Sequence, residues 1–299
     1  MRSKVLILLI LCSCTLTGMV TVPVEQGAIR TYFCETTDCF KIFQGEVENA
    51  TRLVCAQYNP GKSFTQVIES HNGQMVTDKS LGQDLPGLMH NKFCVIDDKV
   101  WTGSWNPVQA MSIPNNVVVL ESPTLAAAYA AKFSILDQGI VRGGPKSDSS
   151  VILNGSKVSA YFCPEDHCQQ HVLDSLERAQ SSIHFMTYSF TDPEIANLLL
   201  EKGREGVEVK GIFDPRMDKY TEFSDLKDFS SIHEVHHKVF IIDGEIVVTG
   251  SYNPTRSGDV NNDENVIIID NKDIAAQFEE EFESINRLPP SKKKGPSAE

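Results

Sequence analysis

The sequence predicts an α/β protein made of one lobe duplicated within a single chain. Three observations predict it: a long-range internal repeat, strand-helix-strand patterning, and a polar joint between the copies. Tyr32-Phe33-Cys34 followed by Cys39 returns as Tyr161-Phe162-Cys163 followed by Cys168. Farther along, His90-Asn-Lys92-Phe-Cys-Val-Ile-Asp97 returns as His236-His-Lys238-Val-Phe-Ile-Ile-Asp243, and Thr102-Gly-Ser-Trp-Asn106-Pro107 as Thr249-Gly-Ser-Tyr-Asn253-Pro254. The Gly-Gly-Pro-Lys-Ser-Asp-Ser-Ser stretch at 143–150 has linker composition and separates lobes at 28–142 and 151–288.

Taken in order, the first lobe offers a strand at 53–58, then a segment at 59–88 rich in Gly, Ser, Asp and Gln that lacks the apolar spacing of a helix. The alanine-rich stretch 124–136 reads as its closing helix. In the second lobe, 183–188 reads as a buried strand and 192–203 as a helix, capped by Thr191 or Asp192 and ended by Gly203. Strands at 207–213 and 238–242 follow. A closing helix at 273–285 has Ile274, Phe278, Phe282 and Ile285 at helical spacing, and such stripes belong to a core. The first copy is shorter than the second between its cysteine pair and its histidine.

The ends differ from the body. Arg2 and Lys4 precede an apolar run too short to span a bilayer, so 1–18 reads as an export signal. Within it, Leu-Cys-Ser-Cys14 has the pattern of a lipoprotein cleavage site, so the expected location is extracytoplasmic, either secreted or held at a membrane through a lipidated Cys14. The stretch 289–299, with Lys292 to Lys294, reads as a basic disordered tail. The formal net charge of −13 disfavours long polyanions, so nucleic-acid binding needs a local basic site. Of the eight cysteines, Cys12 and Cys14 fall in the leader. The two Cys-x4-Cys pairs, Cys34 with Cys39 and Cys163 with Cys168, favour short-loop disulfides over zinc or free thiols. Cys55 and Cys94 lie in apolar strands and read as core residues.

One His-x-Lys pair would be unremarkable, and an isolated strand histidine is usually structural. Here the whole arrangement occurs twice. On an extended strand, residues two apart share a face, so each copy presents an imidazole and an ammonium together. The Gly-Ser-aromatic-Asn turn follows on a second short strand, and a hairpin returns its Asn beside them. Imidazole, fixed cation and amide donors suit a tetrahedral phosphoryl group.

With those residues in hand, both halves resemble the phospholipase D superfamily, whose defining pattern is His-x-Lys-x4-Asp followed by Gly-Ser-x-Asn. The resemblance covers nearly all of the chain after the leader. Phe185-Met-Thr-Tyr-Ser-Phe-Thr-Asp192 and Gly206-Val-Glu-Val-Lys-Gly-Ile-Phe-Asp214 are most similar to compact nuclease-like members, which are dimers of one repeat. It implies a duplicated α-β-α sandwich, two lobes forming a pseudo-dimer with one shared active site. It also implies a two-step displacement in which one histidine attacks phosphorus and the other protonates the leaving oxygen, without metal or cofactor.

The expected catalytic set is His90, Lys92, Asp97, His236, Lys238 and Asp243, with the two aspartates orienting or stabilising the motifs. By analogy with two-repeat relatives, His90 is the nucleophile and His236 the acid. Lys92, Lys238, Asn106 and Asn253 are expected to bind phosphate oxygens, assisted by Ser104 and Ser251, with Glu264 in support. Asn115 stands where the second copy has Glu264, which breaks the symmetry of the histidines. The expected partner is a phosphodiester substrate, nucleic acid ahead of phospholipid, and no obligate protein partner is inferred. A phospholipid hydrolase or phosphatidyltransferase is the alternative, and a non-catalytic phosphate-binding protein a third reading.

Overall fold

Each half of the chain builds its own sheet. The computed structural model describes residues 21–82, 87–108, 113–147, 149–216, 226 and 229–289; the leader with Cys14 and the tail from 290 lie outside the described residues. The first half contributes β1 (Val24–Glu25), β2 (Ile29–Phe33), α1 (Cys39–Val47), β3 (Leu53–Gln57), α2 (Lys62–Ser70), β4 (Gln74–Thr77), α3 (Asp78–Leu81), β5 (Lys92–Ile96), β6 (Lys99–Gly103), β7 (Asn116–Glu121) and α4 (Pro123–Asp137). The second contributes β8 (Ser149–Leu153), β9 (Ser156–Cys163), α5 (Cys168–Glu177), β10 (Ser182–Thr187), α6 (Pro193–Arg204), β11 (Glu208–Phe213), β12 (Ser230–Ile232), β13 (Lys238–Ile242), β14 (Ile246–Gly250), α7 (Arg256–Val260), β15 (Glu264–Asp270) and α8 (Lys272–Asn286).

The strand order β2-β7-β6-β5-β3-β4 in the first sheet is repeated as β9-β15-β14-β13-β10-β11 in the second, which adds β8 and β1 at one edge and β12 at the other. The duplication seen as short sequence matches is therefore a duplication of topology. The motif strands β5 and β13 sit inside their sheets and are buried at every position, which is why they read as unbroken apolar runs. Their residues alternate between two cores. Val95 and Val239 face a central core shared by both lobes, where Tyr129 and Phe133 of α4 meet Phe278 and Phe282 of α8. Cys94 and Phe240 face outward to separate cores, under α1 and α2 in one lobe and under α5 and α6 in the other.

Several expectations are corrected. Residues 59–88 do contain a helix, α2, whose apolar face of Phe64 and Ile68, flanked by Val67, is buried against the sheet; the face is only about one turn long, too short to stand out in a polar segment. Cys55 and Cys94 form a disulfide, because the register of β3 on β5 sets them directly opposite. It joins the two expected bridges, Cys34–Cys39 and Cys163–Cys168, each at the start of a helix. α6 runs to Arg204, past Gly203; Asp192 is its cap, accepting from the backbone N–H groups of Glu194 and Ile195. β8 begins within the stretch read as a linker, and β1 pairs with β8, so the chain's early residues join the second sheet.

Ion pairs and hydrogen bonds tie the lobes near the site. Lys132 of α4, almost fully buried, pairs with Glu165 and with Asp263 at 2.9 Å, next in sequence to Glu264. Asn116 donates to Thr249 at 3.0 Å and its counterpart Asn265 to Thr102 at 2.8 Å, a reciprocal cross-lobe pair about a pseudo-twofold axis.

Candidate active site

Each lobe feeds the site from the start of its motif strand. His90 and His236 stand just before β5 and β13, and each is anchored by the other lobe: the His90 N–H donates to the Asp263 carbonyl at 2.9 Å and the His236 N–H to the Pro114 carbonyl at 2.7 Å. The residue before each histidine is clipped by an aspartate at the end of the neighbouring parallel strand. Asp78 accepts from the Met89 N–H at 2.7 Å and Asp214 from the Val235 N–H at 2.9 Å. These aspartates were not singled out from the sequence; Asp-after-strand in both copies was the available signal, hidden by the unrecognised β4.

The Gly of each Gly-Ser-aromatic-Asn turn has a steric reason. Gly103 and Gly250 adopt φ of 145° and 143°, and a Cβ there would lie 2.3 Å from the Asn116 carbonyl oxygen or 2.2 Å from that of Asn265. The serines that follow brace the next strand. Ser104 Oγ donates to Asn116 Oδ1 at 3.0 Å, while Ser251 Oγ donates to Glu264 Oε2 at 2.6 Å. Both serine hydroxyls are thus engaged beneath the site.

Both histidines line one cleft of about 480 Å³, with Asn106, Asn253, Tyr58, Tyr188, Arg216 and Asn262 among its other walls. Lys92 Nζ lies 3.0 Å from His90 Nε2 and Lys238 Nζ 3.5 Å from His236 Nε2, each also donating to its histidine's own carbonyl at 2.9 Å. Tyr58 packs at a tilt against His90, 4.8 Å between centroids, and Tyr188 likewise against His236 at 5.0 Å, the two rings standing in equivalent places. In the sequence Tyr58 reads as a strand end, and Tyr188 as a strand end within the family-like stretch 185–192, with no role at the site for either. Asn106 and Asn253 each bury an amide oxygen that has no hydrogen-bond partner among the described residues.

The symmetry breaks behind the imidazoles. His90 Nδ1 lies 2.8 Å from both oxygens of Glu264, a residue of the other lobe that is fully buried. His236 Nδ1 instead donates to the Ser104 carbonyl at 2.9 Å, since Asn115 stands where a second glutamate would. A carbonyl only accepts, so His236 carries its proton on Nδ1 and turns a bare Nε2 to the cleft. Burial and the two lysines push both imidazoles well below their ordinary range. Burial brings Lys92 down to about 7 and, together with the nearby Lys92 and Arg216 charges, drives Lys238 strongly down, while burial raises Glu264 to about 7. Such a site gains most from an anion, which restores the ammonium charges that burial disfavours.

Asp97 and Asp243, expected in the catalytic set, stand instead at the far end of their strands, on the order of 16 Å along an extended chain from the motif lysines. Both adopt positive φ, 52° and 54°, at the hairpin turn. Asp97 accepts from the Thr51 and Arg52 N–H groups, and Asp243 from those of Gln180, Ser181 and Ser182. Their carboxylates fasten the turn to the preceding strand, and neither lines the cleft. His237 turns away, between Asn116 and Glu281. Among the described residues no group of three or more His, Cys, Asp or Glu is arranged to hold a metal ion.

Residues 172–286 match the family described as cardiolipin synthase, PLD-like domain. Phospholipase D of Rickettsia bellii is 34% identical over 143 residues, 42% of this chain and 67% of that protein. A mitochondrial cardiolipin hydrolase of Chlamydomonas reinhardtii is 28% identical over 141 residues, 41% of this chain and 63% of that protein. The chain thus spans about two thirds of the length of these relatives. The phosphatidylserine synthase of Haemophilus influenzae shares the fold with a TM-score of 0.65 at 11% identity, covering 87% of this chain and 86% of that one. Doubled motif, doubled sheet and sequence kinship together establish that the chain belongs to the phospholipase D superfamily.

Proposed function

We propose that this chain is a phosphodiesterase that cuts nucleic acid by double displacement through a phosphohistidine on His90. The observation supporting it is the convergence of two imidazoles on one cleft, one backed by a carboxylate and the other by a neutral carbonyl. His90 Nε2 attacks phosphorus, the bond to the leaving oxygen breaks, and that oxygen takes the Nε2 proton of protonated His236. Glu264 accepts the Nδ1–H of the phosphorylated, cationic imidazole and stabilises its charge. His236, lacking such a carboxylate, forms an imidazolium that gives up its proton readily; the substrate anion offsets the lysine charges that otherwise oppose its protonation. In the second step neutral His236 takes a proton from water, the hydroxide oxygen attacks phosphorus, and the P–N bond breaks to release a phosphomonoester.

Lys92 and Lys238 hold the non-bridging oxygens in this reading, with Asn106 and Asn253 at the cleft wall. Tyrosine faces and a guanidinium suit bases and phosphates, which favours nucleic acid despite the net charge of −13. An exported location belongs to the same reading and is supported by the three disulfides, which persist in oxidising compartments. A phospholipid substrate is the second reading, favoured by relatives named phospholipase D and cardiolipin hydrolase.

The test is to incubate the purified chain, with chelator present, with single- and double-stranded DNA, RNA and labelled phospholipid vesicles. Cleaved nucleic acid and intact lipid are expected. Headgroup release with intact nucleic acid would transfer the activity to the second reading, and no turnover of any diester would favour a binding protein.

A further inference from the structure

The lobes differ at a second place on the cleft wall. Asp78 and Asp214 are equivalent, each following its parallel strand and clipping the residue before its histidine. Two positions after each stand Ser80 and Arg216. Arg216 is held rigidly: its backbone N–H and Nε both donate to Asp214 Oδ1 at 2.8 Å, and Nη2 to Oδ2 at 2.7 Å. Asp214 is fully buried, whereas the Arg216 side chain keeps 32% exposure and lines the cleft. The fork pairs through Nε and Nη2, which leaves Nη1 on the edge away from Asp214.

The guanidinium also leans on an aromatic wall of the site. Arg216 Cζ lies 5.0 Å from the centroid of Tyr188, and Lys238 Nζ lies 5.3 Å from the same ring. The two cations are therefore no farther apart than those distances end to end, close enough for phosphates joined by one sugar. Tyr188 in turn packs against His236, the group assigned to protonate the leaving oxygen. In an in-line displacement the leaving group departs opposite the nucleophile, toward that histidine, so whatever continues beyond it passes Arg216.

We propose that Arg216 binds a second phosphate on the leaving-group side of the scissile bond, which gives the cleft a direction along a polynucleotide. This rests on the phosphodiesterase reading and adds polarity to it. A guanidinium preset by a carboxylate and an aromatic ring recognises phosphate by charge and geometry together. The first lobe, with Ser80 in the equivalent position, offers no such cation there, so the preference is one-sided.

The test compares kcat/KM for the thymidine dinucleotide TpT with that for pTpT and TpTp, which add one terminal phosphate at opposite ends. One of the two phosphorylated forms should be cleaved at least about tenfold more efficiently than TpT, the gain expected from one charge-assisted contact of 1.5 kcal/mol or more. Arg216→Gln should remove that advantage, and Arg216→Lys, which keeps the charge but loses the fork, should retain part of it. Thermal melting of both variants checks that the fold survives, and the ratio between substrates is read within each protein. Equal gains at both ends, no gain at either, or a gain that persists in Arg216→Gln would each overturn the proposal while leaving the nuclease reading intact. Failure to cleave TpT, DNA and RNA alike, with release of headgroup from vesicles, would overturn both.

Discussion

The two lobes share strand order, motif, aromatic wall and aspartate clip, yet they are not interchangeable, and the differences fall on the chemistry. Behind His90 lies a buried carboxylate; behind His236 lies a peptide carbonyl. Duplication within one chain permits this, because each position can change without its symmetry mate, whereas a homodimer must change both at once. The outer cores diverge in the same way. Where the second lobe pairs Phe185 with Phe240 across β10 and β13, the first pairs Cys55 with Cys94 across β3 and β5. The lobe with the shorter connection relies on a covalent tie where its partner relies on aromatic packing.

The comparison is broken most severely at the histidines. Replacing His90 by Asn should abolish both turnover and any covalent phosphoryl adduct seen by mass spectrometry after acid quench. His236→Asn should cost roughly 10²–10⁴-fold with an alkoxide leaving group, yet still form the adduct from bis(p-nitrophenyl) phosphate, whose leaving group needs little protonation. An adduct that survives in His90→Asn and vanishes in His236→Asn would exchange the two roles.

Next in size is the tie in the first lobe. Cys55→Ala combined with Cys94→Val should lower unfolding stability by about 2–4 kcal/mol in a denaturant titration, since this bridge closes a 39-residue separation. An unchanged midpoint would mean that the aromatic packing of α1 and α2 already suffices.

Removing the asymmetry of the carboxylate is a smaller change. Glu264→Gln should slow the reaction by about 10- to 100-fold, corresponding to loss of a charge-assisted hydrogen bond of 1.5–3 kcal/mol to the phosphorylated imidazole. Asn115→Glu in the same background should fail to restore the rate, because it would support His236 and leave His90 unbacked. Full rescue would show that either imidazole can serve as nucleophile.

The smallest effect is in stability against pH. Burial holds His236 well below its usual 6.5, so below that pH the unfolded chain binds a proton that the folded chain does not. Stability therefore rises with pH across this window and falls on acidification, by up to about 1.4 kcal/mol per pH unit for one proton. His236→Asn should flatten the curve below pH 6.5 relative to the parent, measured by melting at a series of pH values. Parallel curves would indicate that the imidazole titrates normally in the folded state.

The motif residues, the duplicated plan and the closing helices were legible because they rest on local facts: alternate positions on a strand share a face, helical spacing marks a buried stripe, and a repeated motif needs no coordinates to be seen. α2 escaped because its apolar spacing of Phe64, Val67 and Ile68 spans little more than one turn within a long polar segment, and with it went β4 and the Asp78 clip. The motif aspartates, expected to orient or stabilise the motifs, brace them from the far turn; that distance from the cleft was not legible because spacing along a strand does not tell which end meets the cleft.

What the sequence by itself determined is the pairing of each imidazole with its ammonium, since residues two apart on an extended chain cannot avoid one another. What only the tertiary structure decided is which groups stand behind them. Glu264 is distant in sequence from His90 and belongs to the other lobe, so its contact depends on how two sheets meet, a matter of long-range packing that no local pattern encodes.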